Sequence, residues 1–228
     1  KGERKMEYSI FDIIGPVMIG PSSSHTAGAA KIGYIAREIF GKEVSEVRFY
    51  LHGSFAKTYL GHGTDKALLS GVMGFLPDDE RLRNAYEIAE KKGIKYKFNS
   101  KDLGDVHPNT VRINMFSEDG HEMMVMGSSI GGGKVSIIKI NDFDVDFNGE
   151  YTTLITKHLD RPGVMAAITS ILAKDKVNIA FMKLYRDARG DYARLILESD
   201  EEIEMCVLED IKKMEYVDDV TKIDKLIL

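Results

Sequence analysis

Residues 152–228 carry an order of segments that few folds satisfy. A β-branched run at 152–157 meets the turn Asp160-Arg161-Pro162-Gly163. Apolar residues then recur at helical spacing, Val164, Ile168, Ile171 and Leu172 across 163–174. Two strand-like runs follow at 178–185 and 192–197, joined by a hairpin loop at 187–191. Ile203, Val207, Leu208, Ile211 and Met214 mark a second helix, and 220–228 reads as a closing strand. The order βαββαβ predicts a ferredoxin-like unit.

The preceding residues are mixed. The spacing of Ile32, Ile35, Ala36 and Ile39 predicts a helix over 26–40. Val47, Phe49 and Leu51 alternate within a strand at 44–52. Helices are expected at 64–75 and 81–92, a hairpin at 109–115 and 122–126 around Glu118-Asp119-Gly120, and a strand at 135–140. The acidic stretch 141–151 reads as a boundary between strand-like runs. The fold class is therefore α+β, an N-terminal α/β domain at 1–148 followed by the βαββαβ unit at 149–228.

Composition narrows the function. Net charge is −5, which argues against nucleic-acid and anionic-membrane binding, since both need clustered positive charge. No apolar run approaches the roughly 20 residues that span a bilayer. Residues 1–6 are followed by no apolar core of a secretory signal. The one cysteine, Cys206, forms no intrachain disulfide and suits a reducing cytoplasm. It also cannot hold a zinc or iron–sulfur centre alone, because such centres need about three or four thiolates.

Three segments look chemical. In Gly20-Pro21-Ser22-Ser23-Ser24-His25-Thr26, hydroxyls and an imidazole stand directly before a helix. N–H groups and the positive dipole end there suit a carboxylate or phosphate, and His25 can move a proton near neutral pH. The plain alternative is an N-cap loop with a solvated histidine. The second segment, His52-Gly53-Ser54-Phe55 with Gly61-His62-Gly63-Thr64-Asp65, follows a strand, where open α/β sheets place ligands. His62 between glycines is a poor core filler, whereas His52 reads as a hydrogen-bonded structural residue. The third, Gly127-Ser128-Ser129-Ile130-Gly131-Gly132-Gly133-Lys134, fails as a phosphate-binding loop of the NTPase type. Ser128 stands where its first glycine belongs, and Val135 where a hydroxyl is needed. His107, His121 and His158 read as solvated surface groups, and no histidine spacing makes a protein-only metal site.

These residues carry a resemblance. Residues 9–16, the run 20–28 and the blocks 52–56 and 61–65 resemble the β chain of bacterial iron–sulfur L-serine dehydratase. Residues 152–228, with Asp160-Arg161-Pro162-Gly163 and Asn178, resemble an ACT domain. The resemblance implies an N-terminal domain like the allosteric substrate-binding domain of some phosphoglycerate dehydrogenases. It implies conversion of L-serine to pyruvate and ammonia, with a 4Fe–4S cluster on a separate α subunit and a use for potassium. It nominates His25 and His62 as catalytic. Ser22, Ser23, Ser24, Thr26, Thr64 and Asp65 would line the substrate site, with Thr64 and Asp65 fixing His62. Asp160, Gly163 and Asn178 would bind an amino-acid effector between paired ACT domains, or the paired domains would serve self-association alone. The alternative is a stand-alone amino-acid-binding module without catalysis.

Overall fold

The computed structural model describes residues 18–186 and 188–226. The family-like opening at 9–16 lies outside them. The first sheet has six strands in the order β2-β1-β3-β4-β5-β6. They are β1 (Glu46–Leu51), β2 (Lys95–Ser100), β3 (Thr110–Phe116), β4 (Glu122–Gly131), β5 (Lys134–Ile140) and β6 (Phe143–Phe147). Only the β1–β2 pair is parallel; the others are antiparallel.

Helix α1 (Gly28–Phe40) lies across β3, β4 and β5. Its residues Ile32, Ile35 and Ala36 are wholly buried, as their spacing demands. Helices α2 (Gly53–His62), α3 (Thr64–Val72) and α4 (Ala85–Lys91) follow. Helices α1 and α3 pack through Gly33 and Gly71, where backbone meets backbone. A Cβ on Gly71 would fall 2.2 Å from the Ala30 carbonyl oxygen.

The second sheet runs β10-β7-β9-β8, all antiparallel. Its strands are β7 (Thr152–Leu159), β8 (Ile179–Arg186), β9 (Tyr192–Ser199) and β10 (Val217–Ile223). Leu154, Leu195 and Leu197 face helices α5 (Val164–Lys174) and α6 (Met205–Lys212). Ile155, Ile196 and Ile223 on the opposite face join the core around α1. Helix α1 is thus enclosed between the two sheets, which explains burial on nearly all its sides. The α+β class and the βαββαβ unit match the expectation.

Four local expectations need correction. Residues 53–62, for which no helix was expected, are helix α2; the flanking glycines concealed a short amphipathic turn pattern. Strand β2 was missed. The acidic boundary contains strand β6, in which Val145 and Phe147 point inward while Asp144 and Asp146 are exposed. Charge along an edge strand resists pairing with other chains, so acidity here marks an edge and not a turn. The last strand begins at Val217, not 220, because Val217 still closes the core. Residues 227–228 lie outside the described set.

Candidate active site

Helix α1 is preceded by a single π-type turn, Ser23–Ala27. Ser22 caps it, its hydroxyl accepting from the His25 N–H at 3.1 Å and its carbonyl accepting from the Thr26 N–H at 2.9 Å. This satisfies the turn and projects the His25 ring away from the core beneath α1. Strand β1 ends at Leu51 and the chain turns sharply through Gly53, with φ +51. A Cβ there would sit 2.7 Å from the Pro108 carbonyl oxygen, which receives the Ser54 N–H at 2.8 Å. Glycine is needed for both conformation and space. The turn delivers Ser54 to His25, with Oγ 3.0 Å from Nε2.

The last residue of α2 completes the group. The ring of His62 lies 4.9 Å from that of His25, centroid to centroid. Buried Phe55 meets His25 edge-on at 5.4 Å. Buried Thr26 donates its hydroxyl to the His62 carbonyl at 3.0 Å, tying the π-turn to the end of α2. His62 also lines an open cavity of about 280 Å³ with Gly20, Thr26, Gly63, Lys66 and Arg83. Burial, and then the neighbouring His62, hold the His25 imidazole below its ordinary value. His25 is therefore neutral, with a lone pair to offer, near neutral pH.

The arrangement joins two imidazoles and a hydroxyl at the carboxyl end of β1, suited to moving a proton. The chemistry is in the residues named from sequence, plus Ser54. The profile of the serine dehydratase beta chain family matches residues 9–95. A protein of Bacillus subtilis named "Probable L-serine dehydratase, beta chain" is 44% identical over 219 residues, 96% of this chain and 99% of that protein. The chain belongs to the L-serine dehydratase β-chain family.

The L-serine dehydratase β chain of Peptoniphilus asaccharolyticus is 43% identical, covering 85% of this chain and 88% of that one. The D-3-phosphoglycerate dehydrogenase of Bacillus subtilis is 27% identical over 86% of this chain but only 37% of its own length. Residues 154–219 match the "AHAS small subunit-like ACT domain" profile.

Within this β-chain family member the nominated residues divide. His25, His62, Ser22 and Thr26 come together, and Ser23 and Ser24 occupy the same half-buried turn. Thr64 and Asp65 do not fix His62. Both are buried, the Asp65 carboxylate accepts from the Tyr86 hydroxyl, and His62 Nδ1 faces the Thr58 carbonyl at 3.4 Å. Helix α3 turns them inward because Gly63, at φ +68, ends α2 and starts α3 in a new direction. That hydrogen bond and the burial of its ring raise the Tyr86 hydroxyl pKa, the burial most.

Asp160 and Gly163 lie beyond the end of β7, whereas Asn178 precedes β8 at the opposite end of the small sheet. Asp160 accepts from Arg186 at 2.9 Å and from the Gly190 N–H at 3.2 Å. The Asn178 amide donates to Asp200 at 3.2 Å. One chain does not bring these three residues together.

Ser54 carries no signal of its own in the sequence. Its role needs the helix at 53–62, which only the fold reveals. The other histidines split too. His52 is structural as read, with Nδ1 accepting from the Leu103 N–H at 3.1 Å. His107 is exposed, but His121 is half-buried against Phe40 and His158 is buried beside Thr156. A further cavity, about 630 Å³, sits past the far end of α1 between Lys42 and Asp119 and contains none of the nominated residues. Among the described residues, no helix is long and apolar enough to cross a membrane.

These imidazoles give stability a pH dependence. Burial lowers His158 as it does His25, against an opposing pull from Asp160. Both groups bind protons more weakly folded than unfolded. Their contribution is complete above the unfolded value of about 6.5 and is lost as pH falls below it. Urea midpoints at about pH 7.5 and about pH 5.5 should differ by more in the parent than in a His25→Ala/His158→Gln double variant. An equal difference in the two proteins would refute this assignment.

Proposed function

We propose that this chain is the catalytic partner half of an L-serine dehydratase, deaminating L-serine to pyruvate and ammonia with an α subunit that carries a 4Fe–4S cluster. The observation that carries the reading is the His25–Ser54–His62 group. This chain's own residues do not fit the cluster. Its one cysteine, Cys206, is exposed on α6, and among the described residues no three potential ligands gather. The group that activates the leaving hydroxyl therefore lies outside this chain.

What this chain supplies is proton transfer and orientation. Neutral His25 takes the Cα proton of L-serine on Nε2. The Ser54 hydroxyl donates to that nitrogen at rest, which keeps the ring proton on Nδ1 and holds the Nε2 lone pair until the substrate displaces the hydroxyl. The β-hydroxyl departs with the proton that His25 took, leaving as water and returning His25 to its neutral form. The aminoacrylate becomes an imine, and water releases pyruvate and ammonia. Ser23, Ser24 and Thr26 would bind the substrate's carboxylate and ammonium. On α2, Leu60 is 71% exposed, an apolar side chain that suits coverage by the α subunit.

Anaerobic co-expression with a cysteine-rich chain encoded beside this one, followed by a pyruvate assay, tests the reading. Serine-dependent pyruvate formed by the pair, and by neither chain alone, supports it. A pair that assembles with its cluster and releases no pyruvate ends it. In the active pair, Ser54→Ala should lower kcat by up to ~10-fold, the value of one hydrogen bond of about 1.4 kcal/mol. An unchanged kcat would leave Ser54 no part in orienting His25.

The ACT-like unit is read as a self-association module. Edge strand β8 exposes Phe181, Met182 and Leu184, each by 45% or more. Pairing of two such edges would cover them and would supply Asn178 of one copy to Asp160 and Gly163 of another. Light scattering should find a dimer, and Met182→Lys with Leu184→Lys should yield a monomer of unchanged circular dichroism. A dimer that survives both substitutions places self-association elsewhere.

A further inference from the structure

A second polar cavity, of about 530 Å³, opens where the two sheets adjoin and shares no lining residue with the cavities beside His62 and His52. Along β3, Val111, Ile113 and Met115 are buried in the core, so alternation turns Arg112 and Asn114 to the opposite face. Arg112 lies over the Tyr50 ring at 4.3 Å. From the other sheet, β9 buries Ala193 and Leu195 and turns Arg194 toward β6, where it lies over the Phe143 ring at 4.4 Å. Stacking uses the face of a guanidinium and leaves its donors in the plane. Both arginines line the cavity, and so do the carboxylates of Glu122 and Asp142.

We propose that this cavity binds a free α-amino acid as a zwitterion. Two guanidiniums and two carboxylates make its lining neutral but strongly dipolar. A simple anion would meet the carboxylates and a simple cation the guanidiniums, whereas a zwitterion satisfies both pairs. Its carboxylate goes to Arg112 and Arg194, its ammonium to Glu122 and Asp142, and its side chain lies against Met124 and Phe143. Two buried atoms here, Arg112 Nε and Asn114 Oδ1, have no hydrogen-bond partner among the described residues. Orphans of this kind are rare in folded proteins and call for an explanation, which a bound group supplies here. Because Arg112 belongs to the first sheet and Arg194 to the second, the ligand would clamp the two units together. The site is separate from Asp160, Gly163 and Asn178, and it does not depend on dehydratase activity.

Calorimetric titration of the full chain with glycine, L-serine and L-methionine tests it, with inorganic phosphate and ethylamine as single-charge controls. At least one amino acid should bind, and neither control should. Arg112→Gln and Arg194→Gln should each weaken that binding by ~10-fold or more, the value of a charge-assisted contact. Asp160→Ala and His25→Ala should leave it unchanged. Should Arg112→Gln fail to fold, Glu122→Gln at its exposed position should show the same weakening. Binding by none of the three amino acids, equal binding of phosphate, or affinity indifferent to both Arg194→Gln and Glu122→Gln would overturn the proposal.

Discussion

Replacing His25 by alanine in the assembled two-chain enzyme is expected to lower kcat by ~10²-fold or more, with a much smaller change in KM. The substitution removes the ring and leaves the turn intact, since the Ser22 cap contacts the backbone N–H of residue 25. Only the group facing Ser54 is lost. The Cα proton of serine is weakly acidic, so loss of a positioned base falls on the chemical step and not on binding. His62→Ala adds a second, directional readout. His62 helps to hold His25 down, so its removal should raise the His25 pKa and move the acid limb of kcat/KM to higher pH. A His25→Ala enzyme with kcat within about twofold of the parent would remove His25 from the chemistry.

Gly71→Ala is expected to destabilise the fold by about 2 kcal/mol or more. Two effects oppose each other. Alanine in a helix is favoured over glycine by up to about 1 kcal/mol. Against this, the new methyl would lie 2.2 Å from the Ala30 carbonyl oxygen and 2.6 Å from the Tyr34 nitrogen. Neither is the end of a flexible side chain, so relief requires α1 and α3 to separate along their contact. Overpacking of this kind costs roughly 1–3 kcal/mol even where side chains can yield. The clash therefore wins, and at this chain length each kcal/mol lowers Tm by roughly 2–4 °C. Displacing α1 also moves His25, so activity should fall with stability. Gly61→Ala is the control, because a Cβ there meets nothing within 4 Å and the site is helical. It should be neutral or mildly stabilising. Equal melting temperatures for Gly71→Ala and the parent would mean that α1 and α3 do not meet as described.

The periodic segments were legible. Helix α1 declared itself through Ile32, Ile35, Ala36 and Ile39, and β1 through Val47, Phe49 and Leu51, because one face of each meets a single apolar layer. Segments whose surroundings differ from that pattern misled. β6 presents aspartates outward along a sheet edge, and α2 is a short helix bracketed by glycines. The site was half legible. His25 and His62 stood out because each is bordered by hydroxyls or glycines that give an imidazole no core to fill. Ser54 did not, since a lone serine has no signal until its partner is known. Asp65 looked like a partner for His62 by proximity in sequence, but helix α3 carries it inward to Tyr86.

From residue order alone came the segment types, the βαββαβ unit, the lack of thiols for a cluster and the two histidines worth following. These rest on local spacing and on counting, which the chain carries wherever it folds. Only the three-dimensional arrangement decided that 37 residues of separation in sequence close to 4.9 Å between rings, that Ser54 faces His25, and that Asp65 does not face His62. It also decided that Arg112 and Arg194, from different sheets, line one cavity. Contacts of that kind depend on how α1 is held between two sheets and on where glycines let backbone turn or touch, and no local pattern records either.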